Sequence, residues 1–152
     1  MIRHHYDVSN RFYELVLGPS MTYTCACFPH EGATLEEAQA HKYDLVCRKL
    51  GLRPGMRLLD VGCGWGGMAR HAAEHYGVRV TGVTLSGEQR DFVMKRATER
   101  GVQDHVDVSL RHFRDLEGAG ITAESMDAVA SVEMGEHVGE AEYVVFAESI
   151  HR

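Results

Sequence analysis

A chain of 152 residues, 44% hydrophobic and 25% charged, has the length for one core and the composition of an ordinary globular domain. Its formal net charge of −6 offers no bulk attraction to nucleic acid or to an anionic bilayer. No apolar run approaches the ~18–20 residues of a membrane span, and Met1-Ile2-Arg3-His4-His5-Tyr6-Asp7 is no secretory signal. The expectation is a cytoplasmic protein whose contact with lipid is peripheral. Cys25, Cys27, Cys47 and Cys63 lack C-x-x-C spacing and the ten histidines lack an H-E-x-x-H pair, so reduced thiols and no metal are expected.

Residues 1–52 read as a helical segment and 53–152 as the first part of an α/β domain, within a single domain overall. Ser9 is placed to cap a short helix with Phe12, Leu15 and Val16 on one face, stopped by Gly18-Pro19. Thr34-Leu35-Glu36-Glu37 is a capping box, with Leu35, Ala38, Leu45 and Leu50 as the apolar positions behind it. From Pro54 the pattern changes. Met56–Val61 is a short apolar strand, 62–67 a glycine-rich turn, and a helix follows to Tyr76, closed by Gly77. Arg79–Val83 is the next strand, and Ser86-Gly87-Glu88-Gln89 opens a helix to Arg100 with a second capping-box pattern. Val106–Leu110 and Met126–Val132 read as further strands and Ala141–His151 as a last helix. Strands alternating with helices imply a parallel sheet covered on both faces. The alternation stops after four strands, the pattern of a domain incomplete at its C-terminus. A chain ending there is expected to be poorly stable and inactive.

Leu58-Leu59-Asp60-Val61-Gly62-Cys63-Gly64-Trp65-Gly66-Gly67 carries most of the chemical information. A strand delivers Asp60, and glycines then turn the backbone tightly enough to approach a ligand. Gly62, Gly64 and Gly67 also satisfy the G-x-G-x-x-G dinucleotide pattern. Two features favour adenosylmethionine over NAD. An acid at the entry to the turn suits a cationic methionine end rather than a pyrophosphate. A dinucleotide site also wants Asp or Glu after the second strand, where this chain has Val83-Thr84-Leu85-Ser86.

With His5-Tyr6-Asp7-Val8-Ser9-Asn10-Arg11-Phe12-Tyr13, Met21-Thr22-Tyr23-Thr24-Cys25-Ala26-Cys27-Phe28, Gly82-Val83-Thr84-Leu85-Ser86 and Glu136-His137-Val138-Gly139 in order around that turn, the sequence resembles the cyclopropane-fatty-acyl-phospholipid synthase and mycolic acid cyclopropane synthase family. The stretch from Gly18 to Cys27 is most similar to members that methylate oleoyl chains toward tuberculostearic acid. The resemblance implies a Rossmann-like class I methyltransferase sheet with an N-terminal helical lid, and S-adenosyl-L-methionine as cofactor. Tyr23 and Thr24 would reach the cofactor from the lid. Leu58, Leu59, Asp60, Val61, Gly62, Cys63, Gly64, Trp65 and Gly66 would hold its methionine and ribose parts. Thr84, Leu85, Ser86 and Gln89 would meet ribose and adenine, with Phe113 and Arg114 beside the adenine, although these two depart from the family in residue type.

An alkene is a poor nucleophile, so it takes a sulfonium methyl only when held in line and dry, and the resulting cation needs shelter and a base. The resemblance implies a bound bicarbonate as that base, held through Cys25, Glu136 and the backbone near Val132. Further ligands in the family, a His and a Tyr, fall beyond Arg152. It also implies an unsaturated fatty-acyl phospholipid substrate, met at the inner membrane surface, and a flavin-dependent reductase as a partner where the product is a methylene group. Gly135 departs from the bulky family residue and bears on product type.

Each residue has a plainer reading: Cys25 as a small buried hydrophobe, Glu136 as a solvated charge, Trp65 as packing, Cys63 as filler in the turn. A small-molecule N- or O-methyltransferase, an NAD-dependent oxidoreductase and a non-catalytic adenosylmethionine-binding module remain the alternatives.

Overall fold

The computed structural model describes residues 9–151, so the His5–Val8 part of the first motif lies outside the described residues. In chain order the elements are α1 (Asn10–Leu17), α2 (Leu35–Lys49), β1 (Arg57–Val61), α3 (Gly67–Tyr76), β2 (Arg79–Thr84), α4 (Gly87–Glu99), β3 (Val106–Leu110), β4 (Ala128–Ala130), α5 (Gly135–Val138) and α6 (Tyr143–His151). The four strands form one parallel sheet in the order β3-β2-β1-β4.

Side chains alternate across β1, and this divides the core. Leu58, with no exposure, joins Cys47, Met68, Ala69, Ala72, Val93 and Ala97 from α2, α3 and α4. Leu59 faces the opposite side with Val61, Val83, Phe113 and Phe146 of α6. Helices therefore cover both faces, as the βα alternation implies. No helix among the described residues is long and apolar enough to cross a membrane.

The capping box at α2 is complete: Glu37 N–H donates to Thr34 Oγ1 at 3.2 Å, and Thr34 N–H donates to Glu37 Oε2 at 2.8 Å. The one expected at α4 is half made. Ser86 Oγ accepts from Gln89 N–H at 3.3 Å, but Gln89 Oε1 takes the Thr84 hydroxyl at 2.7 Å instead of reaching back.

Two expectations for α1 are corrected. Ser9 occupies the cap position without a side-chain hydrogen bond, and Phe12, Leu15 and Val16 are exposed rather than packed. The helix instead turns Tyr13 and Leu17 inward, onto Met21, Trp65 and Phe92. β4 is shorter than the expected Met126–Val132. Its ladder to β1 ends at Ala130, and the Ser131 hydroxyl donates to Val61 O at 3.0 Å in place of a further backbone bond.

Candidate functional site

The chain runs from β1 outward through β2 to β3, then returns to place β4 on the other side of β1. That reversal leaves a crevice at the carboxyl end of β1, the place where parallel α/β sheets take ligands. A cavity of about 280 Å³ lies there. Asp60 to Trp65 supply its floor, Val83 to Ser86 and Gln89 one wall, Met21 to Thr24 and Tyr43 another, with Phe113, Val132 to Met134, Glu136 and His137 closing it.

The turn that makes the floor is held by backbone. Gly62 and Cys63 N–H both donate to Val83 O, at 3.0 and 3.1 Å, and Gly66 N–H closes onto Cys63 O at 2.9 Å. Gly62 and Gly66 have φ of 75° and 77°, a region that costs other residues roughly 1–2 kcal/mol. Neither has space for a Cβ: at Gly62 it would lie 2.8 Å from Met134 Sδ, and at Gly66 2.7 Å from Val93 Cγ2. Cys63 is buried with its thiol over Gly82, where burial pushes the thiol far up, so it packs and does not react.

Asp60 is the electrostatic feature of the site. It is 2% exposed, and its Oδ2 has no hydrogen-bond partner among the described residues. Burial alone raises its carboxyl to about 7. A buried acceptor without a donor costs stability unless a ligand completes it. At the end of β2, Thr84 is buried, its hydroxyl given to Gln89 and its oxygen accepting from Ser86 N–H at 3.2 Å. No carboxylate stands there to bind a dinucleotide ribose. The lining, with an acid at one end and hydroxyl and amide groups at the other, fits the aminoacyl and nucleoside ends of adenosylmethionine.

The Thr22–Thr24 segment is held by polar groups of α2. Gln39 Nε2 donates to Thr24 O at 2.8 Å, the Tyr43 hydroxyl donates to Thr22 Oγ1 at 3.0 Å, and Lys42 Nζ bonds Thr24 Oγ1. Gln39, Lys42 and Tyr43 are all buried. Burial lowers the Lys42 ammonium and raises the Tyr43 hydroxyl to about 12. Tyr23 and Thr24 line the cavity, and Trp65 does so while packing on Tyr13 at 4.5 Å and donating Nε1–H to Asn10 Oδ1 at 3.0 Å.

Of the residues expected at the site, Tyr23, Thr24, Asp60, Val61, Gly62, Cys63, Gly64, Trp65, Thr84, Leu85, Ser86, Gln89, Phe113 and Glu136 line this cavity. Leu58, Leu59, Gly66, Arg114 and Cys25 do not. Leu58 and Leu59 spend their side chains in the two cores, and Gly66 caps α3 against Val93. Arg114 is turned to Glu142, with which it pairs, because Phe113 takes the inward direction next to it. Cys25 is exposed; its N–H donates to Glu133 Oε1 at 2.8 Å, and hydrogen bonding and charge from that carboxylate push its thiol up.

Glu133, Lys42 and Tyr43 were not expected from the sequence. Gln39, Lys42, Tyr43 and Val46 fall at i, i+3, i+4 and i+7, the spacing of a core-facing stripe, and polar residues there are the readable signal.

The family described as mycolic acid cyclopropane synthetase matches residues 1–152. A probable fatty acid methyltransferase of Mycobacterium tuberculosis is 54% identical over 142 residues, 93% of this chain and 32% of that protein. The cyclopropane-fatty-acyl-phospholipid synthase of Escherichia coli K12 is 41% identical over 150 residues, 99% of this chain and 36% of its own length. A mycolic acid cyclopropane synthase solved in complex with SAH and CTAB superposes with a TM-score of 0.89 at 40% identity, covering 99% of this chain and 51% of the other. The chain thus spans about a third of these curated relatives.

Proposed function

The chain belongs to the mycolic acid cyclopropane synthetase family, and we propose that it forms the adenosylmethionine-binding part of an enzyme that methylates the double bond of an unsaturated fatty-acyl chain. The observation that carries this reading is the crevice at the β1/β4 reversal, with a buried Asp60, its Oδ2 without a hydrogen-bond partner among the described residues, at the entry to a glycine turn. The relatives' names supply the substrate class, and the solved relative's SAH, the demethylated cofactor, supports the ligand.

Bound adenosylmethionine supplies an electrophilic methyl group on a sulfonium sulfur. Asp60 would receive the ammonium end, Thr84 and Gln89 would face the nucleoside, and the apolar walls from Phe113, Met134 and Val83 would keep water from the reacting carbons. The described part of residues 1–52 acts as the lid, with Tyr23 and Thr24 above the cofactor. The π pair of the alkene would take the methyl as the C–S bond breaks and S-adenosylhomocysteine leaves; the carbocation would then lose a proton from the added methyl to close a cyclopropane, or do so after a 1,2-hydride shift to leave a methylene group. Glu136, on α5 at the cavity wall, is the chain's own carboxylate for stabilising that charge and directing the proton.

A bicarbonate base rests on a narrower footing. Glu136 and the Val132 segment face the cavity, whereas Cys25 lies outside its lining, its N–H donated to Glu133. A phospholipid substrate at a membrane surface in the cytoplasm, and a flavin-dependent reductase acting on a methylene product, complete the proposal.

The test is transfer of labelled methyl from adenosylmethionine to dioleoyl phospholipid vesicles by a protein carrying this chain. Incorporation into the acyl chains is expected, falling at least a hundredfold in Glu136→Gln with cofactor affinity within about twofold. Label found only in small amines or hydroxyls would overturn the reading.

A further inference from the structure

Phe12, Leu15 and Val16 share one face of α1, at i, i+3 and i+4, and the fold leaves that face bare: they are 50%, 80% and 60% exposed. The inner face is filled independently, by Tyr13 and Leu17 against Met21, Trp65 and Phe92. α1 is therefore apolar on both sides, the pattern of a helix with apolar surroundings on both. Single exposed apolar side chains are ordinary, but three adjoining ones on a two-turn helix form a contact surface.

Charge, position and area say what that surface meets. Glu14, the acid of α1, pairs with Arg96 of α4 at 3.8 Å. Arg11 is exposed and has no ion pair among the described residues. On a chain of net charge −6, this helix thus offers a cation and no unpaired carboxylate, which suits an anionic surface. The Phe12 ring meets Tyr13 edge-on at 5.4 Å, and Tyr13 meets Tyr23 at 6.0 Å. Tyr23 is exposed and lines the cavity, so the bare face continues, through two rings, to the cavity's mouth. Each of the three side chains has on the order of 200 Å² to bury at most, and together they fall short of the ~800 Å² per partner of a stable protein interface. An acyl layer needs no matching partner surface, because each apolar group that enters it gains by its own area.

We propose that the outer face of α1 seats the protein on an anionic lipid surface, with Phe12, Leu15 and Val16 entering the acyl layer and Arg11 at the level of the phosphates. The choice of lipid as the occupant rests in part on the acyl-substrate reading above; the bare face and its charge stand without it. Seated this way, the mouth of the cavity lies beside the layer that holds the acyl chains.

A protein carrying this chain is sedimented with sucrose-loaded vesicles of equal parts dioleoyl phosphatidylcholine and dioleoyl phosphatidylglycerol. Leu15→Gln combined with Val16→Gln keeps good helix formers at both positions and is expected to weaken vesicle binding at least tenfold. Arg11→Gln is expected to weaken it about fivefold, and only when phosphatidylglycerol is present. Melting temperature and affinity for S-adenosylhomocysteine stay unchanged, since none of these side chains lines the cavity or joins the core. Methyl transfer in the double variant falls about tenfold on vesicles and is retained on dioleoyl phospholipid dispersed in detergent. Leu15→Cys carrying an environment-sensitive fluorophore gives a second readout, its emission moving to the blue when vesicles are added.

No vesicle binding by the unsubstituted protein, or unchanged binding by the double variant, would overturn the proposal. A fluorophore already shielded before vesicles are added would show that the protein itself covers the face, and would overturn it as well. So would a dimer in analytical ultracentrifugation that the double variant dissociates, which would give the face to a second copy. If the unsubstituted protein fails to bind S-adenosylhomocysteine, the methyltransferase reading falls, while the vesicle measurements still decide the docking.

Discussion

The floor of the cavity and the proposed lid above it are built by different means. The floor is backbone: two N–H groups on Val83 O, glycines without space for a Cβ, and a strand end on each side. The lid is side chains: Gln39, Lys42, Tyr43 and Glu133 each hold one point of Thr22–Cys25. Backbone bonds inside a sheet open only with the sheet, whereas single side-chain bonds at a surface open one at a time. The contrast is between a wall held by backbone and a wall held by single side-chain bonds.

Breaking the floor should therefore cost most. Gly66→Ala adds a Cβ at positive φ against Val93, and we expect a loss of about 2–4 kcal/mol in urea unfolding. An unchanged midpoint would mean that the turn is not rigid.

Asp60 sharpens the contrast, since it is a weakness inside the rigid half. In the unfolded chain its carboxyl titrates near 3.8, in the folded chain at about 7. Between those values the folded state holds more protons, so stability conferred by the neutral carboxyl is present at low pH and lost as pH rises through 7. Asp60→Asn should stabilise the ligand-free chain at pH 8 by on the order of 3 kcal/mol and change it little at pH 4. The same variant should bind S-adenosylhomocysteine at least tenfold more weakly. A variant less stable at pH 8 would contradict the burial of an unpartnered charge.

The lid gives the smallest effect. Thr34→Ala removes the cap of α2, which carries three of the four lid fastenings, and should cost about 1 kcal/mol in thermal or urea unfolding. A loss as large as that of Gly66→Ala would erase the distinction between the halves.

The same division decides what could be read from sequence. β1, β2 and β3 fall within a residue of expectation because a local pattern marks each: β1 runs into the glycine turn, β2 into the Ser86 cap of α4, and β3 alternates buried and exposed positions. The floor residues Asp60 to Trp65 were legible for the same reason. β4 was overread because its end depends on Ser131 meeting Val61, a contact across 70 positions. The face of α1 was misread because it is chosen by Trp65 and Phe92, distant in sequence. Glu133 and Arg114 show the limit most clearly. One was overlooked and one was assigned to the cavity, because side-chain direction at a strand exit is set by partners such as Cys25 and Glu142 that no local pattern announces.

The central claim is that this cavity takes adenosylmethionine rather than a dinucleotide. Calorimetric titration of the chain at pH 8 with S-adenosylhomocysteine and, separately, with NAD decides it. One site for S-adenosylhomocysteine, no heat from NAD and weakened binding in Asp60→Asn are expected. Saturable binding of NAD with none of S-adenosylhomocysteine would contradict it.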